Sequence, residues 1–265
     1  MSVWGLVRRN QKLGQGFYGL VLRAPAIAAA ARPGQFVMLR VSHGLDPLLA
    51  RPFSIHGVEG ENLFILYRVV GKGSKLLSLV RPGNKSLSLW GSLGKGFDLA
   101  LQRPVLVAGG IGMAPLVFAA KELAQAGRRA PFLLGLPSVQ GLEGLIRPLQ
   151  AADAAGQIAL GLASEDGSPS TRQGLVTLLL GEALESEESQ RCDGVLACGP
   201  MPMLKAVAGI CAKRGVSCQV SLEAPMACGL GACLGCVIPA AGGGYLRACQ
   251  EGPVMDAAAV DWQRL

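Results

Sequence analysis

Near its C-terminus the chain reads MACGLGACLGCVIPAAGGGYLRACQEGP, which places Cys228, Cys233, Cys236 and Cys249 within 22 residues. Thiols this dense pair as disulfides, hold zinc, or hold iron and sulfide. The pattern C-x4-C-x2-C with one distant fourth cysteine is the plant-type ligand spacing of a [2Fe-2S] cluster. Zinc is more often gripped by two short C-x2-4-C knuckles, whereas Cys249 comes singly, 13 residues after Cys236. The glycines and alanines between these cysteines let a loop wrap a cluster and aim backbone N–H groups at sulfur. The spacing favours [2Fe-2S], with zinc and disulfides as the rivals. Cys192, Cys211 and Cys218 read as small apolar core residues.

A cluster needs a source of electrons, and two glycine-bearing turns upstream suit nucleotide cofactors. The apolar run PVLVAGG leads into Gly110-Ile111-Gly112-Met113-Ala114-Pro115. Gly110 and Gly112 allow a pyrophosphate to come close, and the helix start beyond them offers free N–H groups. Proline in a first helical turn loses no hydrogen bond. A tight strand-to-helix turn alone would also use glycines. Cys198-Gly199-Pro200-Met201 closes a later strand, where a parallel sheet opens its ligand crevice. Earlier, Arg51-Pro52-Phe53-Ser54 sets a fixed cation, a rigid turn and a hydroxyl side by side. LYRVVGKGSKLLSLV then brings Gly73 before a short helix from Ser74 to Val80, with Ser74 as its expected N-cap. Arg51 and the helix start after Gly73 could grip one diphosphate from two sides; a surface arginine and a plain turn are the bland alternative.

These residues need a scaffold. Up to about residue 98 the chain offers short β-like runs broken by Gly and Pro: GFYGLVLRAP, GQFVMLRVS, PFSIHGV, NLFILYRVV and SLSLWGSLG. They predict an antiparallel barrel or sandwich. From Leu99 strand and helix alternate, which predicts a doubly wound parallel sheet. ESEESQR, residues 185–191, reads as a solvated charged loop. The expected fold class is therefore mixed β and α/β: an antiparallel β-barrel (1–98), a nucleotide-binding doubly wound parallel-sheet domain (99–222) and a small C-terminal [2Fe-2S] segment (223–265).

Composition narrows the function. The 265 residues carry a net charge of +7, but Lys and Arg are scattered and aromatics are only 5%. No nucleic-acid partner is expected. The apolar uncharged run from Pro104 to Ala120 is 17 residues, shorter than the roughly 20 of a membrane-spanning helix. No membrane span and no signal peptide are read, and a cytoplasmic location, where thiols stay reduced, is expected. No hydrolytic triad or carboxylate pair occurs, so no catalytic side chain is assigned. His43 and His56 read as structural or surface groups.

In order, RPFS, LYRVVGKGS, GSLGKGF, AGGIGMAP and CGPMPML resemble the ferredoxin–NADP reductase-like flavoproteins. With its cysteine tail the chain resembles the electron-transfer subunits of NAD-dependent (class 1B) dihydroorotate dehydrogenases, over essentially its whole length. The resemblance implies three cofactors: FAD, a [2Fe-2S] cluster and NAD(H). It places FAD at Arg51, Pro52, Phe53, Ser54, Leu66, Tyr67, Arg68, Gly73 and Ser74. The nicotinamide nucleotide falls at Gly110, Gly112, Cys198, Gly199, Pro200 and Met201, and the cluster at Cys228, Cys233, Cys236 and Cys249. It further implies an FMN-containing catalytic subunit as partner, two of each in a heterotetramer, and net conversion of dihydroorotate to orotate. LGLPS ends the second α/β strand where many relatives place an arginine for a 2′-phosphate, which leans towards NAD. Glu165 and Asp166, in an altered loop, are further nucleotide candidates. The same relay serving a ferredoxin–NADP transhydrogenase, a sulfide dehydrogenase or a hydrogenase is the rival, and a zinc-bearing regulatory module the more distant one.

Overall fold

The computed structural model describes residues 3–42, 44–185 and 192–265. His43 and residues 186–191 of the expected charged loop lie outside the described residues.

Six strands close the first barrel: β1 (Val3–Gly14), β2 (Phe17–Arg23), β3 (Phe36–Arg40), β4 (Arg51–Glu59), β5 (Asn62–Arg68) and β6 (Leu87–Leu93), in the order β1-β2-β5-β4-β3-β6. All pairings are antiparallel. β1 is the strand that the pattern of apolar runs passes over, because Arg8, Arg9, Gln11 and Lys12 interrupt it; only Gly5 and Val7 on it are buried. Leu20, Leu22, Val37, Leu39, Ile55, Leu63, Leu87 and Leu89 fill the interior with no exposure. Two short helices decorate the barrel, α1 (Pro25–Ala30) and α2 (Lys72–Ser78). The cap of α2 is Gly71 and not Ser74. Ser74 instead sits inside the first turn, where its Oγ accepts the N–H groups of Val70 at 2.9 Å and Gly71 at 3.1 Å. A hydroxyl inside the turn can reach back to the donors that a glycine cap leaves open.

The second sheet runs β10-β9-β8-β7-β11-β12-β15. Its strands are β7 (Pro104–Gly109), β8 (Ala130–Leu136), β9 (Ile158–Ser164), β10 (Arg172–Gln173), β11 (Gly194–Cys198) and β12 (Cys218–Ser221), with β15 (Val254–Asp256) at one edge. Helices α3 (Met113–Gln125), α4 (Glu143–Ala154), α5 (Val176–Glu185) and α6 (Met201–Arg214) join them. Pairing is parallel from β10 to β12 and antiparallel only at β15. The chain winds outward from β7 through β8 to β10, then returns to place β11 on the other side of β7. The strand order reverses between β7 and β11, and a crevice opens beyond their carboxyl ends. β15 returns from the cysteine tail to pair with β12, matching Ser221 with Val254 and Gln219 with Asp256. Between these strands a small hairpin, β13 (Val237–Pro239) and β14 (Tyr245–Arg247), closes the cysteine segment.

Cys236 and Cys249 are 2% and 1% exposed and pack in one core with Phe36 and Met38 of the barrel and Val220 of the sheet. The tail is therefore buried against both larger units. Among the described residues no helix is long and apolar enough to cross a membrane.

Candidate cofactor clefts and cysteine site

Two clefts meet where barrel and sheet face each other. The first, about 470 Å³, is walled by Pro52, Phe53 and Ser54 of β4, by Leu66, Tyr67 and Arg68 of β5, and by Phe36. Gly112, Cys198 and the segment Ser221–Met226 close its far side. Alternation along β4 and β5 turns Pro52, Ser54, Leu66 and Arg68 away from the barrel interior that Ile55 and Ile65 fill, whereas Phe53 and Tyr67 pack with that interior and still border the cleft. Tyr67 is held in place by stacking on Tyr18 at 5.5 Å, by the edge of Phe53 at 5.9 Å and by its O–H, which donates to Asn10 Oδ1 at 3.0 Å. Burial, with the Asn10 bond opposing it, keeps that phenol protonated well above its ordinary range. Rings, a serine hydroxyl and a guanidinium suit a flat heteroaromatic ring with polar edges, and the cradle fits a flavin.

Arg51, Gly73 and Ser74 do not line this cleft; they meet each other beside it. Arg51 donates to the carbonyl of Leu49, and its guanidinium lies over Gly73, where a β-carbon would stand 2.3 Å from Nε.

The second cleft, about 720 Å³, is lined by Gly109, Gly110 and Ile111 after β7, by Gly199 to Met203 after β11, and by Leu136, Pro137, Glu165 and Thr177 further along the sheet. It lies at the strand-order reversal, and the start of α3 offers its N–H groups there. Gly112 is required by contact between two backbones, since a β-carbon on it would meet the carbonyl oxygen of Cys198 at 2.2 Å. Glu165 faces this cleft. Asp166 is a loop tie: it accepts from Ser168 N at 3.0 Å and Ser168 Oγ at 2.6 Å. The hydroxyls of Ser168 and Ser138 hold its carboxyl down at about 2.

Arg68, Ile111 and Glu223 border both clefts. Ile111 and Glu223 were not among the sequence-predicted residues. Glu223 follows the carboxyl end of β12, a position that the crevice rule could have flagged. Burial raises its carboxyl above the ordinary range. Cys198, buried beside it, is pushed up to about 12 by burial and then by Glu223, with Ser221 opposing. That thiol stays neutral.

The four tail cysteines come as two pairs. Cys236 and Cys249 have their sulfurs 3.2 Å apart, and the Cys228 thiol lies beside Cys233. Among the described residues no three His, Cys, Asp or Glu groups converge on one metal position. Two thiol pairs suit two irons bridged by sulfide, each iron taking two thiolates, better than one tetrahedral zinc. The loop also aims donors at sulfur: Leu230 N to Cys228 at 3.3 Å and Gly231 N to Cys249 at 3.1 Å. N–H groups of Leu230 and Cys233, with smaller help from Ala232, lower the Cys228 thiol to about 6. Burial and the neighbouring Cys236 hold Cys249 up at about 11. The loop is clamped by Arg247, which donates to Glu251 from Nε at 3.0 Å and from Nη2 at 2.5 Å, and by Trp90 Nε1, which donates to the Cys228 carbonyl at 3.3 Å. Cys192, Cys211 and Cys218 lie elsewhere, in the core between the sheet and α6, which carries Cys211; Cys211 and Cys218 are buried.

Comparisons with known proteins agree with this geometry. The model of the iron-sulfur cluster binding domain of dihydroorotate dehydrogenase B matches residues 223–261. Among solved structures, the chain is similar to one from a study of flavin-based electron bifurcation by NADH-dependent reduced ferredoxin-NADP oxidoreductase. That likeness has a TM-score of 0.86 and 26% identity, covering 99% of this chain and 91% of the other. The FAD/NAD-binding domain of a Vibrio cholerae nitric oxide dioxygenase, at TM-score 0.71 and 19% identity over 84% of this chain and 98% of the other, shares the fold. A Caldanaerobacter subterraneus dihydroorotate dehydrogenase B (NAD(+)) electron transfer subunit is 39% identical over 84% of each chain. With 37% identity over 93% of both chains to the corresponding Desulforamulus reducens protein, this chain belongs to the family of dihydroorotate dehydrogenase B electron transfer subunits.

Proposed function

We propose that this chain is an NAD-linked flavin and iron–sulfur oxidoreductase subunit that relays electrons between NAD(H) and a dihydroorotate-oxidising partner. The observation that carries the reading is the shared wall of Arg68, Ile111 and Glu223, which brings a nucleotide cleft and a flavin-shaped cleft edge to edge. The cysteine pairs begin two residues past Met226, which lines the first cleft. Residues of the first cleft would hold a flavin, which would supply hydride acceptance and single-electron release, and the cysteine pairs would hold a two-iron cluster, which would supply one-electron transfer.

The residues hold and orient. Pro52 to Ser54 and Leu66 to Arg68 seat FAD, with Arg51, Gly73 and Ser74 at its phosphates. Gly110 and Gly199 to Met201 seat the nicotinamide nucleotide, with Gly112 and Cys198 of the same two turns facing the flavin cleft. Cys228 with Cys233 and Cys236 with Cys249 hold the two irons. Apolar side chains of Ile111, Leu222 and Met226 keep water from the meeting point. Cys233 is exposed, as are Leu230 and Leu234 beside it, which marks this side as the exit.

The partner is an FMN-bearing catalytic subunit, two of each forming a heterotetramer in the cytoplasm, with dihydroorotate oxidised to orotate overall. The modules divide at 1–98, 99–222 and 223–265. Likeness to the ferredoxin-NADP oxidoreductase supports a second reading, the same relay with another acceptor. The test is anaerobic addition of NADH to the purified protein, followed by visible absorption, iron assay and identification of the co-purifying subunit. The flavin band should bleach and the iron be present; Cys228→Ser should lose iron and Cys192→Ser keep it. A colourless protein holding one zinc overturns the relay, and a partner without dihydroorotate-oxidising activity favours the second reading.

A further inference from the structure

One half-buried titratable group has no part in the relay as described. His56 lies on β4, two residues beyond Ser54 in the flavin cleft wall. Its Nδ1 is 3.1 Å from the carbonyl oxygen of Ala114, the second residue of α3. Ala114, Ile111 and Gly112 all line the flavin cleft as well. A single imidazole thus bridges the strand that forms one side of that cleft and the helix that starts at the dinucleotide turn.

A carbonyl oxygen only accepts, so Nδ1 carries the proton. Burial, with a smaller contribution from the charge of Lys121, pushes the imidazole down to about 4 against the raising effect of the Ala114 bond. The ring is neutral near pH 7, and its tautomer is set by this one contact. The ring also borders a space of about 180 Å³ between barrel and α4, where Arg9 and Gln11 are the other polar side chains. Apolar residues on either side offer contact without direction, whereas one hydrogen bond fixes position along the strand.

We propose that His56 is a positioning residue that sets the separation of the two cofactor clefts, by pinning β4 to the first turn of α3 through its Nδ1–H. This deepens the relay reading and rests on it. The reacting atoms of nucleotide and flavin must approach within van der Waals range, and a shift of about 1 Å costs up to 100-fold in rate.

Asparagine carries its amide nitrogen the same number of bonds from Cα as Nδ1, so His56→Asn keeps the donor and His56→Leu removes it. The full-length, cofactor-loaded protein and both variants would be compared by stopped-flow bleaching of the flavin with NADH, by flavin content and by KM for NADH. His56→Leu should slow hydride transfer about 10-fold or more with flavin content and KM little changed, and His56→Asn should recover most of the rate, as expected for a lost alignment rather than lost binding. A second readout needs no turnover. The chain has two histidines, so a ¹⁵N spectrum is simple, and the signal missing from His56→Asn should be the Nδ1–H tautomer at neutral pH. Equal rates in all three proteins, equal slowing in both variants, or an Nε2–H tautomer would overturn the proposal. If NADH leaves the flavin of the unaltered protein unbleached, the relay falls and this proposal with it. Bleaching there with unchanged variants removes this proposal alone.

Discussion

The guanidinium of Arg51 occupies the space that a side chain at residue 73 would need: a β-carbon on Gly73 would lie 2.3 Å from its Nε and 2.8 Å from its Cζ. Strand β4 and helix α2 are coupled there by the lack of an atom. The guanidinium is thereby kept at the start of α2, with Nη1 on the Leu49 carbonyl, where the proposed FAD phosphates would meet both the cation and the helix start.

Gly73→Ala should therefore displace Arg51 and weaken FAD binding. A charge-assisted hydrogen bond is worth about 1.5–3 kcal/mol, so affinity should drop roughly 10- to 100-fold. Flavin retained after gel filtration and titration of the apo-protein by fluorescence quenching would measure this. A melting temperature within a few degrees of the native value would show that the loss is local.

At the other cofactor turn, Gly112→Ala should be much more costly. The added methyl would meet a carbonyl carbon and oxygen of Cys198 at 2.4 and 2.2 Å, both of them backbone atoms. Two main chains would have to part at the centre of the sheet. Destabilisation of about 2–4 kcal/mol is expected for such overpacking, read as a shift in urea midpoint, with NADH binding lost in whatever folds.

Glu223 gives a prediction with a sign in pH. Burial raises its carboxyl, so the folded chain holds that proton more tightly than the unfolded chain does. Its contribution to stability is full below the unfolded value of 4.5 and is lost as pH rises through the higher folded value. Glu223→Gln should therefore melt above the native protein at pH 8, with the gap shrinking towards pH 4. In the proposed relay, a carboxylate at the shared wall would also face the positive charge that develops on a nicotinamide ring as hydride leaves it. Hydride transfer in the same variant should slow by about 10-fold or more. A variant that is both less stable at pH 8 and as fast would contradict this placement.

The clamp on the cysteine loop gives the opposite sign. Arg247 holds the Glu251 carboxyl down at about 2, against an ordinary 4.5. The clamp is intact above the ordinary value and is lost as pH falls towards about 2. Both side chains are partly exposed, so the effect on global stability should be small. Its effect should show locally, because groups that hold a metal's ligands in place govern how tightly the metal is kept. Glu251→Gln should release iron to a chelator several-fold faster at neutral pH.

Much of this was legible in one sequence, and the residues explain which parts. Cysteine spacing survives any folding detail, because four thiols at those intervals have few uses. The β7 and β11 turns were legible because their glycines follow continuous apolar runs, the mark of buried parallel strands. β1 was not, since a barrel strand whose outer face carries Arg8, Arg9, Gln11 and Lys12 breaks its own pattern. Residue type points to Ser74 as the cap, but the cap is a glycine and the serine works from within the turn. Nothing local marks Glu223, and in the sequence His56 reads only as a structural or surface group: one gains meaning from two clefts, the other from a carbonyl 58 residues away.

The return of β15 to the edge of the sheet changes what it means to remove the cysteine tail. Leu222 N donates to Pro253 O at 2.9 Å just as Val254 meets Ser221, so the segment leaves and rejoins the same margin. It behaves as a handle riveted at both ends. Cutting it away would strip β12 of its neighbour and leave a row of unpaired amides facing outward, an invitation to self-association. A shortened chain that precipitates would then report a bared strand edge, and would say nothing about whether electrons need the cluster.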